Sequence, residues 1–109
     1  MNTHIDYKTL NLTQVALVAD TLKLLSDSTR IKILWALLHG EHSVNDLAKH
    51  VSAQPAAVSQ HLAKLRTAQL VKVRRDGNKM YYLTDNEHVR KLIEEALSQA
   101  DHVIKRSKG

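Results

Sequence analysis

The stretch Gln54-Pro55-Ala56-Ala57-Val58-Ser59-Gln60-His61-Leu62-Ala63-Lys64-Leu65-Arg66 constrains the fold of this chain more than any other. Pro55 suits a first helical position, where its missing N–H has no intrahelical partner and its fixed φ is already helical. Val58, Leu62 and Leu65 recur at i, i+4 and i+7 and form one narrow apolar stripe. The rest of the first two turns is small or polar (Ala56, Ala57, Ser59, Gln60), so this end of the helix can approach a base-pair edge where bulky side chains could not. Taken alone, the segment is an ordinary amphipathic surface helix. Its neighbours change that reading.

Residues 1–11 show no periodicity and read as a flexible N-terminal arm. From Leu12 the pattern is helical, with Val15, Val18, Leu22 and Leu25 spaced by three and four and Thr13 as a candidate cap. Asp27-Ser28 breaks and restarts the chain before Ile31, Leu34, Trp35 and Leu38, a second helix stopped at Gly40. Ser43-Val44-Asn45-Asp46 has capping-box spacing, with Asp in place of the usual Glu, and opens a short third helix to about His50. The connection Val51 to Ala53 is long enough only for a turn, and the Gln54–Arg66 helix follows at once. Two helices joined this way, the second with a polar leading end, make a helix-turn-helix.

After Leu70 the period changes to two. Val71 and Val73, then Tyr81 and Leu83, flank Asp76-Gly77-Asn78, a hairpin signal because Gly tolerates the positive φ such a turn needs. Lys72, Arg74, Arg75 and Lys79 face a single acid, Asp76, so the hairpin is a basic ribbon beside the helix-turn-helix, the pattern of a winged helix. A last helix from about Asn86 to Ile104 carries Val89, Leu92, Ile93, Ala96, Leu97, Ala100 and Val103 on one broad apolar face, and residues 105–109 read as a basic C-terminal tail. The fold class that follows is mainly α with a small β-hairpin: four helices, two strands and a fifth helix, in one domain over residues 12–104.

Charge points to a partner. Sixteen Lys and Arg against eleven Asp and Glu give a net charge of +5 and a pI near 9.6, which fits a polyanion. Arg74, Arg75, Lys79 and Lys64 are candidates for phosphate contacts, while Ser59 and Gln60 are candidates for reading base edges. Gln54, Ala56 and Asn78 complete the candidate DNA-facing set. The plainer alternative is that Lys and Arg on a ribbon serve only to discourage edge-to-edge pairing. Cysteine is absent, which removes disulfides, thiolate ligands and a cysteine nucleophile. No apolar run reaches the roughly 18 residues of a membrane span, and the first residues lack a signal-peptide pattern. The expectation is a cytoplasmic protein with no membrane partner. His61 lies two residues from Ser59, so the two cannot pair as base and nucleophile on a helix, and no other catalytic constellation is present. His39, His42 and His50 read as surface residues around the helix-turn-helix.

Asp27-Ser28-Thr29-Arg30-Ile31-Lys32-Ile33-Leu34, Val58-Ser59-Gln60-His61-Leu62-Ala63-Lys64-Leu65, and Arg74-Arg75-Asp76-Gly77 followed by Tyr81-Tyr82 resemble the ArsR/SmtB winged-helix repressors. The resemblance covers about Leu12 to His102. It implies a homodimer, joined through the first and last helices, that represses an operon from double-stranded operator DNA and releases it when an inducer binds. Thiol sensors of the family carry Cys-x-Cys at the start of the third helix; here that position reads Ser43-Val44-Asn45, which argues against thiolate sensing of arsenic, lead or cadmium.

His88 and His102 are fourteen residues apart and share a helix face about 21 Å apart along the axis. One chain cannot chelate with both. Two copies packed antiparallel about a dyad near Glu95 would bring His88 of one to His102 of the other, making two symmetric sites. The four ligand places of the family's zinc sensors here hold Asn86, His88, Gln99 and His102, two good ligands and two neutral amides. His88 with the Asp101-His102 pair is similar to the nickel and cobalt sensors of actinobacteria. Those sensors take further histidines from a C-terminal tail, whereas Lys105-Arg106-Ser107-Lys108-Gly109 has none. Three alternatives stay open: His4 and Asp6 of the arm complete the site, water completes it, or metal sensing has been lost. The plainer reading makes His88 a helix cap and His102 a beneficiary of the helix dipole. Nickel or cobalt is the favoured effector, with zinc next. Two other readings are an ArsR-type regulator that senses no metal and a nonspecific architectural nucleic-acid binder.

Overall fold

Caps and breakers place each element of the computed structural model, which describes residues 9–108. The order is α1 (Leu12–Leu24), α2 (Ser28–Leu38), α3 (Val44–Val51), α4 (Pro55–Thr67), β1 (Val71–Asp76), β2 (Lys79–Thr84) and α5 (Glu87–Lys108). Asn11, not Thr13, caps α1: its Oδ1 accepts the backbone N–H groups of Thr13 at 2.9 Å and Gln14 at 3.1 Å. One asparagine oxygen thus serves two of the N–H groups that a helix start leaves without partners. Asp27 caps α2 through the Arg30 N–H, and Ser43 Oγ caps α3 through the Asp46 N–H. Pro55 occupies the first turn of α4.

Between α3 and α4 the chain turns at Ser52, held in the left-handed region at φ 55°, and the Ala53 N–H returns to the Ala48 carbonyl at 3.1 Å. α4 ends in a paired reversal. Gln69 takes φ 62°, the Leu70 N–H reaches the Leu65 carbonyl and the Gln69 N–H reaches the Arg66 carbonyl, both at 2.9 Å. β1 and β2 pair antiparallel from Val71↔Thr84 to Asp76↔Lys79, leaving Gly77-Asn78 as a two-residue loop. Gly77 supplies the positive φ, 62°, at the first loop position. A third short rung forms between His42 and Tyr82, which exchange backbone hydrogen bonds of 3.0 and 2.8 Å and tie the wing to the loop before α3.

The core lies between α2, α3 and α4 and is closed by the hairpin and the first half of α5. Ile33, Leu34, Leu37 and Leu38 meet Leu47, Ala48 and Val51, then Val58, Leu62 and Leu65, with Leu70, Val71, Val89 and Ile93 around them. On α2 this corrects the face read from spacing. Ile31 is half-buried and Trp35 is 45% exposed, while Ile33 and Leu37 are inside. α1 buries no residue. Its Leu12, Val15, Leu17, Val18 and Leu22 stay exposed, as do Leu92, Leu97, Val103 and Ile104 of α5. α5 also continues four residues past Ile104, so residues 105–108 are helix rather than tail. Lys and Arg are good helix formers, and Lys105, Arg106 and Lys108 complement the negative end of the helix dipole.

The turn at Ser52 yields a direct test. An exposed non-glycine residue at positive φ is strained, so Ser52→Gly should raise unfolding stability by about 0.5 kcal/mol and Ser52→Val should lower it by about 1–2 kcal/mol. Urea unfolding at fixed protein concentration reads both; a valine variant as stable as the parent would contradict the left-handed turn.

Candidate nucleic-acid interface and sensor helix

α4 divides cleanly. Val58, Leu62 and Leu65 are fully buried, while Gln54, Ala56, Ser59, Gln60 and Lys64 all lie exposed. Gln54 makes no side-chain cap bond, so its amide is free to face outward. Ala63, Arg66 and Thr67 continue the exposed stripe. Arg66 was not among the residues singled out from the sequence, although it stands seven positions after Ser59 and therefore two turns along the same face. Ser59, Leu62, Ala63, Arg66 and Thr67 line a cleft of about 420 Å³ whose far wall is Tyr82 of the wing. The exposed stripe of α4 and the wing thus border one concave surface.

The register of the wing separates its cations. Arg75 pairs with Met80 and shares a ribbon face with Val73 and Tyr82, the side that meets α4. Arg74, opposite Tyr81, is on the other face. Its Nε donates to Glu41 Oε2 at 3.0 Å, its Nη2 donates to Glu41 Oε1, and its guanidinium sits 4.9 Å from the Tyr81 ring centre. Arg74 is therefore largely committed to holding the wing against the α2–α3 loop. Arg75, Asn78 and Lys79 project at the exposed tip of the hairpin. The Glu41 pairing joins residues 33 apart in sequence, beyond the reach of local spacing.

The hydrogen bonds from Arg74 hold the Glu41 carboxyl below its ordinary range, and Glu41 in turn raises Arg74. A depressed carboxylate contributes stability that is fully present above its unfolded pKa and is lost as pH falls through the lowered folded value.

On α5, Asn86 Oδ1 accepts the His88 N–H at 2.9 Å, so Asn86, not His88, caps the first turn. Its Nδ2 also contacts the Gln69 carbonyl and Asp85. His88 is exposed beside Lys91, Leu92 and Glu95. Asp101, His102 and Gln99 are exposed, and the extension of the helix to Lys108 leaves His102 short of its last turn. Neither plain structural role read for the two histidines is thus filled here. Among the described residues no three His, Asp or Glu side chains gather within one chain. His4 and Asp6 lie outside the described residues. Arg90, two positions from His88, donates to the Leu38 carbonyl at 2.8 Å and anchors α5 to the end of α2. His42 and His50 stack edge to face at 4.9 Å, and His39 contacts the Trp35 carbonyl; these three belong to the α2–α3 corner. No helix among the described residues is long and apolar enough to cross a membrane.

Glu41→Gln should flatten the acid limb of stability, because the variant has no carboxylate to protonate there. Thermal unfolding between about pH 6 and about pH 3, the range spanning ordinary carboxylate titration, should show a smaller loss in the variant than in the parent. Equal losses would mean the Glu41–Arg74 pairing contributes nothing.

Residues 27–73 match the bacterial regulatory protein family arsR. Over 82% of its length the chain is 49% identical to the HTH-type transcriptional regulator KmtR of Mycobacterium tuberculosis, covering 68% of that protein. It is 42% identical to the cadmium resistance transcriptional regulatory protein CadC homolog of Staphylococcus aureus, over 72% of this chain and 66% of that one. Its fold is similar to the homodimeric winged helix-turn-helix DNA-binding domain of a Mycobacterium bovis protein, with a TM-score of 0.81 and 28% identity over 97% of this chain and 95% of that one. With α3 and α4 as the helix-turn-helix and β1–β2 as the wing, the chain belongs to the ArsR family of bacterial transcriptional regulators.

Proposed function

We propose that the chain is a homodimeric repressor that binds double-stranded operator DNA in the cytoplasm and releases it when a divalent metal binds across the two α5 helices. The observation that carries the DNA-binding part is the division of α4, with its apolar stripe buried and Ala56, Ser59, Gln60 and Lys64 left free. A second copy of the chain is supported by the exposed apolar side chains of α1 and α5, and the Mycobacterium bovis neighbour is itself homodimeric. A dimer presents two recognition helices to major grooves about 34 Å apart. Phosphate contacts fall to Arg75, Lys79, Lys64 and Arg66, with a share from the remaining N–H groups of Arg74. Base reading falls to Ser59 and Gln60, flanked by Gln54, Ala56 and, at the wing tip, Asn78.

Metal response is supported by the Staphylococcus aureus relative, which is named for cadmium resistance, and by the donor set of α5. Without cysteine, a site here rests on imidazole and carboxylate, which suit nickel, cobalt and zinc. His88 of one copy with Asp101 and His102 of the other would hold the ion. Asn86 is occupied as a cap, and Gln99 offers a weak amide; His4 and Asp6 remain candidates to complete the shell. The ion's chemical contribution is to favour one arrangement of the two α5 helices. Val89, Ile93 and Arg90 fasten α5 to the core, so a change in the crossing of the two α5 helices moves each helix-turn-helix relative to its mate. Loss of Asn86 to capping also favours a second reading, a regulator of the same family that answers to another ligand.

Two measurements follow. His88→Ala should bind promoter DNA as the parent does yet fail to release it when nickel, cobalt or zinc is added; release equal to the parent's would end the α5 metal reading in favour of the second one. Arg75→Ala should weaken DNA binding across all sequences and reduce the log–log salt slope by about 0.9 per lost phosphate contact, whereas Gln60→Ala should cost affinity for the promoter but not for random duplex. An architectural binder would instead show both variants weakened alike on both duplexes.

A further inference from the structure

Arg30 joins three elements. Its backbone N–H is bound by the Asp27 carboxylate at 3.0 Å, its Nη1 donates to the Leu24 carbonyl at 3.2 Å, and its Nε donates to His61 Nδ1 at 3.0 Å. Leu24 is the last residue of α1, whose carbonyl has no partner within the helix and sits at the negative end of its dipole. His61 is half-buried at the middle of α4, directly after Ser59 and Gln60. The cation therefore spans from the end of α1 to the body of the recognition helix.

Packing duplicates little of this link. α1 buries none of its residues and, of its apolar side chains, only the half-buried Leu24 packs against the core, while a cleft of about 540 Å³, with Leu17, Asp20 and Thr21 on one side and Ala63, Lys64 and Thr67 on the other, lies between α1 and α4. We propose that Arg30 is a positioning residue for the recognition helix, making the placement of α4 follow that of α1 through the imidazole of His61. This rests on the DNA-binding reading and on α1 as a dimer helix, and it adds the side chains that carry a change at the dimer to the DNA-reading face.

The link has a chemical requirement. An arginine Nε can only donate, so Nδ1 of His61 must accept and the proton of the neutral ring must sit on Nε2. A second proton removes the acceptor and sets an imidazolium against a guanidinium. The charged groups that face His61 are Arg30 and, across the start of α2, Asp27; from α1 the contact with Arg30 is the Leu24 carbonyl. DNA affinity should therefore depend on His61 being neutral.

The test uses the full chain and a fluorescent duplex from its own promoter, read by anisotropy. At about pH 7.5, His61→Leu should weaken binding roughly tenfold, the scale of one charge-assisted hydrogen bond, and His61→Asn, whose Oδ1 lies where Nδ1 does, should recover most of that loss. His61→Leu binding like the parent, or His61→Asn binding no better than His61→Leu, overturns the proposal. A parent that ignores the duplex even at low salt overturns the DNA-binding reading instead. The link is then decided by long-range ¹H–¹⁵N spectra of the His61 ring, which must show an unprotonated, accepting Nδ1 that is lost in Arg30→Lys; a protonated Nδ1 refutes it.

Discussion

Apolar surface that one chain cannot cover is the constraint on which everything else here depends. α2, α3 and α4 enclose a core to which α1 adds only the half-buried Leu24, and α5 contributes only Val89 and Ile93 to it. Leu12, Val15, Leu17, Val18 and Leu22 of α1 and Leu92, Leu97, Val103 and Ile104 of α5 stand exposed, each short of some part of the roughly 1.5–3 kcal/mol that full burial contributes. A 109-residue chain is near the size at which a second copy adds useful burial. Pairing those helices would turn two separate helix-turn-helix units into one object with a set spacing, and would bring the histidine-bearing ends of α5 together. Repression and release would then be two arrangements of the same buried seam.

Polar links join those helices to α2, α4 and the wing. Arg90 ties α5 to the end of α2, Arg30 ties the end of α1 to α4, and Glu41 with Arg74 ties the wing to the loop before α3. Each is an arginine meeting a carbonyl, carboxylate or imidazole acceptor, with a planar donor group suited to holding direction as well as distance. The His42–Tyr82 rung does the same for the wing with backbone atoms. Between these ties, α4 is held on its buried side by three aliphatic residues and is free on the other.

Local patterns in the sequence carried much of this. Val58, Leu62 and Leu65 lie in a segment whose other residues are small or polar, so only one face could be buried, and that face is the one inside. α2 was harder, because Ile31-Lys32-Ile33-Leu34-Trp35-Ala36-Leu37-Leu38 is apolar almost throughout and offers overlapping faces. Burial chose Ile33 and Leu37 over Ile31 and Trp35, a choice made by α3 and α4 rather than by spacing. The end of α5 is hard to place from sequence because a shift to charged residues resembles a tail, although lysine and arginine extend helices readily. Arg30–His61 and Arg74–Glu41 span 31 and 33 residues, and no periodicity foretells such pairs. At the candidate sensor, His88, Asp101 and His102 were legible as ligand types; that Asn86 is engaged as a cap became visible only with the fold.

The central claim is that metal at α5 and DNA at α4 compete through one dimer geometry, and linkage makes that claim reciprocal. Calorimetric titration of nickel into the free protein and into the protein saturated with promoter duplex tests it most directly. The account predicts that DNA weakens nickel binding by the same factor by which nickel weakens DNA binding. Equal nickel affinity in the two states, alongside DNA release by nickel, would contradict it.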